Sequence, residues 1–201
     1  MKLTTVTHVS LDGVMQGLGG KNEDRSGGFE RGGWAPPLFD PEASTYLDAL
    51  YERADAFLLG KRTYEIFAGS WGTWKDPGDS AIWTALNTKP EYVASTTLKD
   101  PKWAKTTVLS GDVTAAIRDL KAKAEGEIQV NGSGKLIRSL LGAQLVDEIV
   151  LFIYPLVLGQ GTRLFPEAGR DTALELVESR TTGGGLTIQV YRPAGRPRYN
   201  D

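Results

Sequence analysis

Short apolar runs alternate with segments of helical periodicity along most of this chain. Leu3 to Ser10 is rich in threonine and valine and predicts a first strand. Ala56 to Leu59 is continuously apolar, which is typical of a strand buried on both faces. Between them, Pro41 to about Ala54 predicts a helix capped by Asp40, because its apolar positions recur every three or four residues.

The same alternation continues to the end of the chain. Further strands are predicted at Tyr92 to Ser95, Thr106 to Leu109, Ile128 to Val130 and Glu148 to Tyr154. Further helices are predicted at Lys61 to Phe67, Ser80 to Leu86, Val113 to Ala124 and Lys135 to Leu141. A hairpin follows, made of Leu174 to Arg180 and Leu186 to Tyr191. This order predicts an α/β fold, a largely parallel central sheet with flanking helices and an antiparallel C-terminal hairpin, in one domain over residues 1–201.

One long segment, Leu11 to Gly33, interrupts this pattern. It is polar and rich in glycine, which indicates a loop. Long loops inside compact domains are usually functional or mobile. We therefore expect residues 17–33 to act as a lid that becomes ordered on binding.

Composition narrows the chemistry. Among 201 residues there are no cysteines and one histidine, so thiolate metal sites, a cysteine nucleophile and a multi-histidine zinc site are excluded. The histidine, His8, is expected to be an ordinary strand residue. A formal net charge of −2 gives no reason to attract nucleic acid or an anionic membrane. With no apolar run of membrane-spanning length and no signal peptide, we expect a soluble cytoplasmic protein without a metal.

Two turns have the composition of phosphate sites. Each joins a buried strand to a helix through glycine, at residues 60–63 and at residues 132–135. Helix N-termini bind anions, glycine lets a phosphate approach the backbone, and Lys61, Arg62 and Lys135 add positive charge. Taken alone, either turn is equally well explained as a tight connection. Together, at carboxyl ends of sheet strands, they are expected to face one crevice.

Five sequence segments carry a family resemblance. They are Ser10-Leu11-Asp12-Gly13, Leu59 to Glu65, Gly132-Ser133-Gly134-Lys135-Leu136, Leu145-Val146-Asp147-Glu148 and Pro155 to Phe165. In this order they are similar to the reductase domain of the bifunctional riboflavin-biosynthesis deaminase/reductase. They resemble most the stand-alone bacterial members of that dihydrofolate-reductase-like family, over about residues 3–192.

The resemblance implies a dihydrofolate-reductase-like sheet of about eight strands, often in a homodimer, with NADPH as the cofactor. It places Gly60, Lys61, Arg62 and Thr63 at cofactor phosphates. It also places Gly132, Ser133, Gly134 and Lys135, followed by Leu136, at the pyrophosphate. Ser95 and Thr96 would line the adenosine side. Many relatives carry arginine where this chain has Thr96, so Lys61 or Arg62 would supply that charge.

The resemblance also implies an activity. It would be an NAD(P)H-dependent oxidoreductase similar to 5-amino-6-(5-phosphoribosylamino)uracil reductase, acting on a small pterin-like or pyrimidine-like heterocycle, a carbonyl or an imine. Asp12 is the catalytic candidate, either orienting substrate or relaying a proton. An equal alternative is a turn aspartate that binds its own backbone. A non-catalytic NADPH-binding module and a purely structural homodimer remain open as functions.

Overall fold

A computed structural model describes residues 1–103, 105–123 and 125–200. Eight strands are found in these ranges. They are β1 (Lys2–Ser10), β2 (Ala56–Gly60), β3 (Glu91–Ala94), β4 (Thr106–Leu109), β5 (Glu127–Asn131), β6 (Glu148–Tyr154), β7 (Leu174–Thr181) and β8 (Thr187–Pro193). The apolar runs of the sequence form central strands that are covered on both faces. In β2, for example, Phe57, Leu58 and Leu59 are fully buried.

All eight strands belong to one mixed sheet in the order β4-β3-β2-β5-β1-β6-β8-β7. The first six strands in this order run parallel, whereas β8 pairs antiparallel with both β6 and β7. In the centre, β1 lies between β5 and β6, with Thr5 opposite Val130 on one side and Ile149 on the other. The predicted fold class is confirmed, including the antiparallel C-terminal hairpin.

Five α-helices connect the strands within the described residues. They are α1 (Pro41–Arg53), α2 (Lys61–Ser70), α3 (Ala81–Thr88), α4 (Val113–Lys123) and α5 (Gly134–Gly142). The predicted cap of α1 is present, because Asp40 Oδ1 accepts a hydrogen bond from the Ala43 N–H at 2.9 Å. Helices α2 and α3 end two or three residues later than the pattern predicts, and Ala124, the predicted end of α4, lies outside the described residues.

Helices cover both faces of the sheet and create two hydrophobic cores. Helices α1, α2 and α3 pack with Val6, Phe57 and Leu59 on one face, which we call the α1 face. Helices α4 and α5 pack with Leu3 and Ile128 on the opposite face. This layering leaves the carboxyl-terminal ends of the parallel strands uncovered by the helices. Ligands bind at this end of the strands in open α/β sheets.

The long loop after β1 is folded against the body of the protein. Trp34 Nε1 donates a hydrogen bond to the backbone oxygen of Gln16 at 2.8 Å, which joins the two ends of the loop. The Gln16 side chain is buried, and its amide donates to the Asp24 carboxylate at 3.0 Å and to the backbone oxygen of Ser26 at 2.9 Å. Buried polar bonds of this kind hold the loop in a defined position.

No helix among the described residues is both long and apolar enough to cross a membrane.

Candidate functional site

The predicted site segments all follow the carboxyl ends of neighbouring parallel strands. Residues 95–97 follow β3, residues 60–63 follow β2, residues 132–135 follow β5, and Asp12 follows β1. Because these strands are adjacent in the order β3-β2-β5-β1, the segments lie side by side at the carboxyl-terminal end of the sheet. The structure therefore brings together residues that are up to 123 positions apart in the sequence.

The two glycine turns are hydrogen-bonded to each other. The Gly60 N–H donates to Ser133 Oγ at 2.9 Å, and the Ser133 N–H donates to Thr63 Oγ1 at 3.2 Å. The Gly132 N–H donates to the backbone oxygen of Val6 in β1 at 3.1 Å. These bonds fix the two turns relative to each other.

The turn before α5 has an unusual backbone. Gly132 and Ser133 have φ angles of 57° and 56°, in the left-handed region that favours glycine. A Cβ atom at Gly134 would lie 2.6 Å from the sulfur of Met15, so a larger residue here would displace the Met15 side chain. Ser133 accepts a backbone strain of about 1–3 kcal/mol, which its two bonds to the neighbouring turn offset.

Neither helix at this edge is closed by a side-chain cap. The N-cap residue is Gly60 for α2 and Ser133 for α5. Within the described residues, neither helix has a hydrogen bond from an N-cap side chain to its first turn. Uncapped first turns leave backbone N–H groups and partial positive charge available to an anion. Two adjacent N-termini of this kind suit the two phosphates of a dinucleotide.

The two basic residues of the first turn have different surroundings. Lys61 Nζ donates to Thr97 Oγ1 at 3.1 Å and lies 3.7 Å from Glu65 Oε1. Arg62 forms an ion pair with Asp24 in the long loop. Lys61 therefore points toward the residues that follow β3, whereas Arg62 is engaged by the loop.

An open cleft of about 390 Å³ lies between the ends of β2 and β3 and helices α4 and α5. Ser95 Oγ shapes one wall, since it accepts hydrogen bonds from the N–H groups of Thr97 at 3.1 Å and Leu98 at 3.0 Å. Five predicted site residues or their direct neighbours line the cleft, namely Lys61, Ser95, Thr96, Thr97 and Leu136. Lys135 is exposed on the first turn of α5.

Asp12 is held by several partners at the start of the long loop. Its Oδ1 accepts from Ser10 Oγ at 2.6 Å and from the Leu158 N–H at 3.0 Å, and its Oδ2 accepts from the Gly159 N–H at 2.8 Å. Arg163 Nη2 lies 3.6 Å from Oδ2. The Ser10 hydroxyl and these N–H groups lower the pKa of Asp12 to about 2. The carboxylate therefore joins the end of β1 to the segment after β6.

Two polar groups near this edge were missed by sequence reasoning. Asp24 was unremarkable in a polar loop, yet its carboxylate engages Arg62 and accepts from Ser26 Oγ at 2.7 Å. Asn131 is 3% exposed, and its side-chain Nδ2 has no hydrogen-bond partner among the described residues. Only its place directly before the glycine turn could have indicated Asn131 as a candidate.

His8 lies on the α1 face of β1 among aromatic side chains. Its ring stacks on Phe152 with centroids 4.5 Å apart, and its Nδ1 lies 2.9 Å from the Tyr154 hydroxyl. Burial lowers the pKa of His8 to about 4. The ring is therefore neutral at pH 7 and makes a neutral hydrogen bond with Tyr154.

A family model described as the RibD C-terminal domain matches residues 1–188. Two curated proteins of Bacillus subtilis strain 168 are similar to the chain. YyaP is 27% identical over 188 residues, which cover 91% of this chain and 90% of YyaP. YwjB is 22% identical over 157 residues, which cover 77% of this chain and 83% of YwjB.

Solved structures share the fold. A protein from Shewanella sp. PV-4 named for riboflavin biosynthesis has a TM-score of 0.74 and 25% identity, covering 96% of this chain and 99% of its own. A pyrimidine reductase-like protein from Corynebacterium diphtheriae has a TM-score of 0.63 at 16% identity, with coverages of 96% and 92%. Dihydrofolate reductase from Enterococcus faecalis, solved with NADP(H), has a TM-score of 0.59 at 14% identity, with 96% of each chain covered.

Proposed function

Since the chain belongs to the RibD C-terminal domain family, we propose that it is an NADPH-dependent reductase acting on a small heterocyclic, carbonyl or imine substrate. The observation that carries the proposal is the pair of uncapped glycine turns, hydrogen-bonded to each other at the carboxyl edge of the sheet. Their N–H groups and basic side chains match the chemistry of a dinucleotide's phosphates. The Enterococcus reductase solved with NADP(H) has the same fold.

Different residues of the chain would bind different parts of the cofactor. Gly132, Ser133 and Gly134 would hold the pyrophosphate at the start of α5, with Lys135 adding charge. Ser95 and Thr96 would lie along the adenosine side of the cleft, with Leu136 on the opposite wall. When bound, NADPH supplies the hydride.

Lys61 is the residue we assign to the 2′-phosphate that distinguishes NADPH from NADH. It lines the same cleft as Ser95 and Thr96, and its ammonium group already lies 3.1 Å from the Thr97 hydroxyl. Arg62 is turned away into an ion pair with Asp24. Lys61 thereby replaces the charge that Thr96 does not provide, and Gly60 and Thr63 complete the turn that positions it.

We assign a positioning role to Asp12. A carboxylate with a pKa of about 2 stays ionised at neutral pH and is a poor proton donor. Both of its oxygens already accept hydrogen bonds that hold residues 158 and 159 beside the end of β1. Asp12 would thus shape the mouth of the substrate site rather than relay a proton.

The same engagement of Asp12 favours one alternative function, an NADPH-binding module that does not turn over. Both functions predict NADPH binding, so calorimetric titration of the wild-type protein with NADPH tests them together. Oxidation of NADPH, followed by its absorbance in the presence of a panel of pterins and pyrimidines, then separates reductase from binding module.

A variant of the second glycine turn tests whether NADPH binds at the proposed site in the calorimetric titration. Gly132→Val places a β-branched side chain at a φ of 57°, which strains the turn beside Thr63, so it should abolish NADPH binding. Gly142→Val at the far end of α5, where a Cβ meets nothing within 4 Å, is the control. Wild-type protein that gives no titration heat and no thermal shift with NADPH would overturn the proposal.

A further inference from the structure

Strand β5 ends in a buried amide that has no partner. Asn131 is the last residue of β5 and directly precedes the second glycine turn, residues 132–135. It is 3% exposed, and its side-chain Nδ2 makes no hydrogen bond within the described residues. Burying an amide N–H without an acceptor costs stability, so polar groups in protein interiors are normally paired. The unpaired Nδ2 therefore indicates an acceptor that a bound molecule would supply.

The Asn131 side chain lies on the α1 face of the sheet. Alternate residues of a strand point to the same face, and Gln129 Nε2 donates to the backbone oxygen of Leu50 in α1 at 2.6 Å. Asn131 also pairs in register with Val6 of β1, which belongs to the core under α1. The amide is thus on the face opposite helices α4 and α5, which line the open cleft.

This placement separates Asn131 from the part of the site assigned to adenosine. Ser95 and Thr96 line the cleft on the side of α4 and α5. A dinucleotide that crosses the second glycine turn at its pyrophosphate would have its adenosine in the cleft and its nicotinamide toward the α1 face. The acceptor for Asn131 would then belong to the molecule that meets the nicotinamide.

The side chains around this part of the α1 face are aromatic and uncharged. His8, two residues beyond the β1 partner of Asn131, has a neutral ring at pH 7 because burial lowers its pKa to about 4. The Phe39 ring lies 6.0 Å from the His8 ring, and Trp34 lies edge-on to Tyr154 with centroids 5.2 Å apart. Flat apolar walls with one polar group suit a planar, uncharged ring.

We propose that Asn131 determines substrate specificity, with its Nδ2 donating a hydrogen bond to a ring carbonyl of an uncharged, planar heterocycle. The inference rests on the proposed reductase function and narrows its substrate class to rings that carry a carbonyl on the edge facing β5. A ring with an amino group there would place two donors against each other, which a buried site rejects. Trp34 and Phe39 lie where the long loop leads into α1, so this segment moves when substrate enters.

Two pteridines that differ at one ring position test the proposal. Pterin carries a carbonyl at C4, whereas 2,4-diaminopteridine carries an amino group there. In calorimetric titrations of the full chain, with and without NADP+, the wild-type protein should bind pterin roughly tenfold more tightly. Asn131→Val should lose this preference. Asn131→Asp replaces the donor with an acceptor and should reverse it.

Thermal unfolding without ligand gives an independent measurement. Because the buried Nδ2 has no partner, Asn131→Val should raise the melting temperature by about 2–4 °C. Asn87→Val is the matched control, since Asn87 Nδ2 donates to the backbone oxygen of Trp83 at 2.9 Å and its Oδ1 accepts from Trp103 Nε1 at 2.7 Å. This control should lower the melting temperature and leave the pteridine preference unchanged.

Four results would overturn the proposal. The first is a wild-type protein that binds both pteridines equally or binds neither, and the second is a preference that survives in both Asn131 variants. The third is a lower melting temperature of Asn131→Val. The fourth is an equal loss of NADPH and pterin affinity in Asn131→Val, which would assign the amide to the cofactor. A wild-type protein that prefers pterin but binds no NADPH would support the role of Asn131 and overturn the reductase function alone.

Discussion

A buried carboxyl group at the start of β3 should make the stability of this protein depend on pH. Glu91 is 0% exposed, its Oε1 has no partner among the described residues, and its Oε2 receives only a long 3.4 Å bond from Thr106 Oγ1. Burial raises the pKa of Glu91 from 4.5 to about 8. The folded protein therefore keeps this proton at pH values where the unfolded chain has released it.

The sign and size of the effect follow from that difference. Because the folded state binds this proton more tightly, the contribution of Glu91 to stability is greatest at low pH and is lost as pH rises from about 4.5 to about 8. Each pKa unit corresponds to about 1.4 kcal/mol, so the loss between pH 5 and pH 8 is roughly 4 kcal/mol. Glu91→Gln removes the titration, and its stability relative to wild type should rise by that amount over the same range.

Urea unfolding at constant ionic strength from pH 5 to pH 8 measures this difference. Other titrating groups, His8 included, contribute equally to both proteins and cancel. Glu167→Gln, at an exposed position, is the control and should follow the wild-type curve. A stability difference between Glu91→Gln and wild type that stays constant across this pH range would refute the reasoning.

Two further predictions concern the two glycine turns. Ser133→Ala leaves the Gly60 N–H without its acceptor and should cost about 1–3 kcal/mol in urea unfolding, whereas Ser139→Ala, exposed on α5, should cost little. An equal loss in both would contradict the role of the bond between the turns. Asp24→Asn should free Arg62 for a phosphate and tighten NADPH binding by up to about fivefold, since Arg62 is solvent-exposed and such ion pairs contribute at most about 1 kcal/mol. Weaker NADPH binding by this variant would show that the ion pair supports the site.

Much of the fold could be predicted because the apolar and polar positions along the chain agree with which side chains are buried in the folded protein. The run Ala56 to Leu59 is a central strand with every side chain buried, and the Asp40-Pro41 pair starts α1 where the pattern placed it. Helix ends were less accurate, because the residues after Phe67 and Leu86 are compatible with another turn that only tertiary packing selects.

The site could be predicted in part. Glycine turns between strands and helices indicate anion-binding backbone, so residues 60–63 and 132–135 could be predicted as candidate phosphate turns from the sequence alone. Two contacts could not be predicted: the hydrogen bond from the Ser133 N–H to Thr63 and the ion pair between Asp24 and Arg62. They join segments that come close together only in the folded sheet. The backbone partners of Asp12 at Leu158 and Gly159 lie about 146 residues away along the chain, which no turn rule reveals.

Under the proposed function, the cleft beside Lys61 would hold the 2′-phosphate of NADPH. Calorimetric titration of wild type, Lys61→Ala and Arg62→Ala with NADPH and with NADH tests it most directly. We predict that wild type prefers NADPH, that Lys61→Ala loses about tenfold or more in NADPH affinity with little change for NADH, and that Arg62→Ala largely keeps the preference. Equal NADPH affinity in wild type and Lys61→Ala would contradict the assignment of Lys61 to the 2′-phosphate.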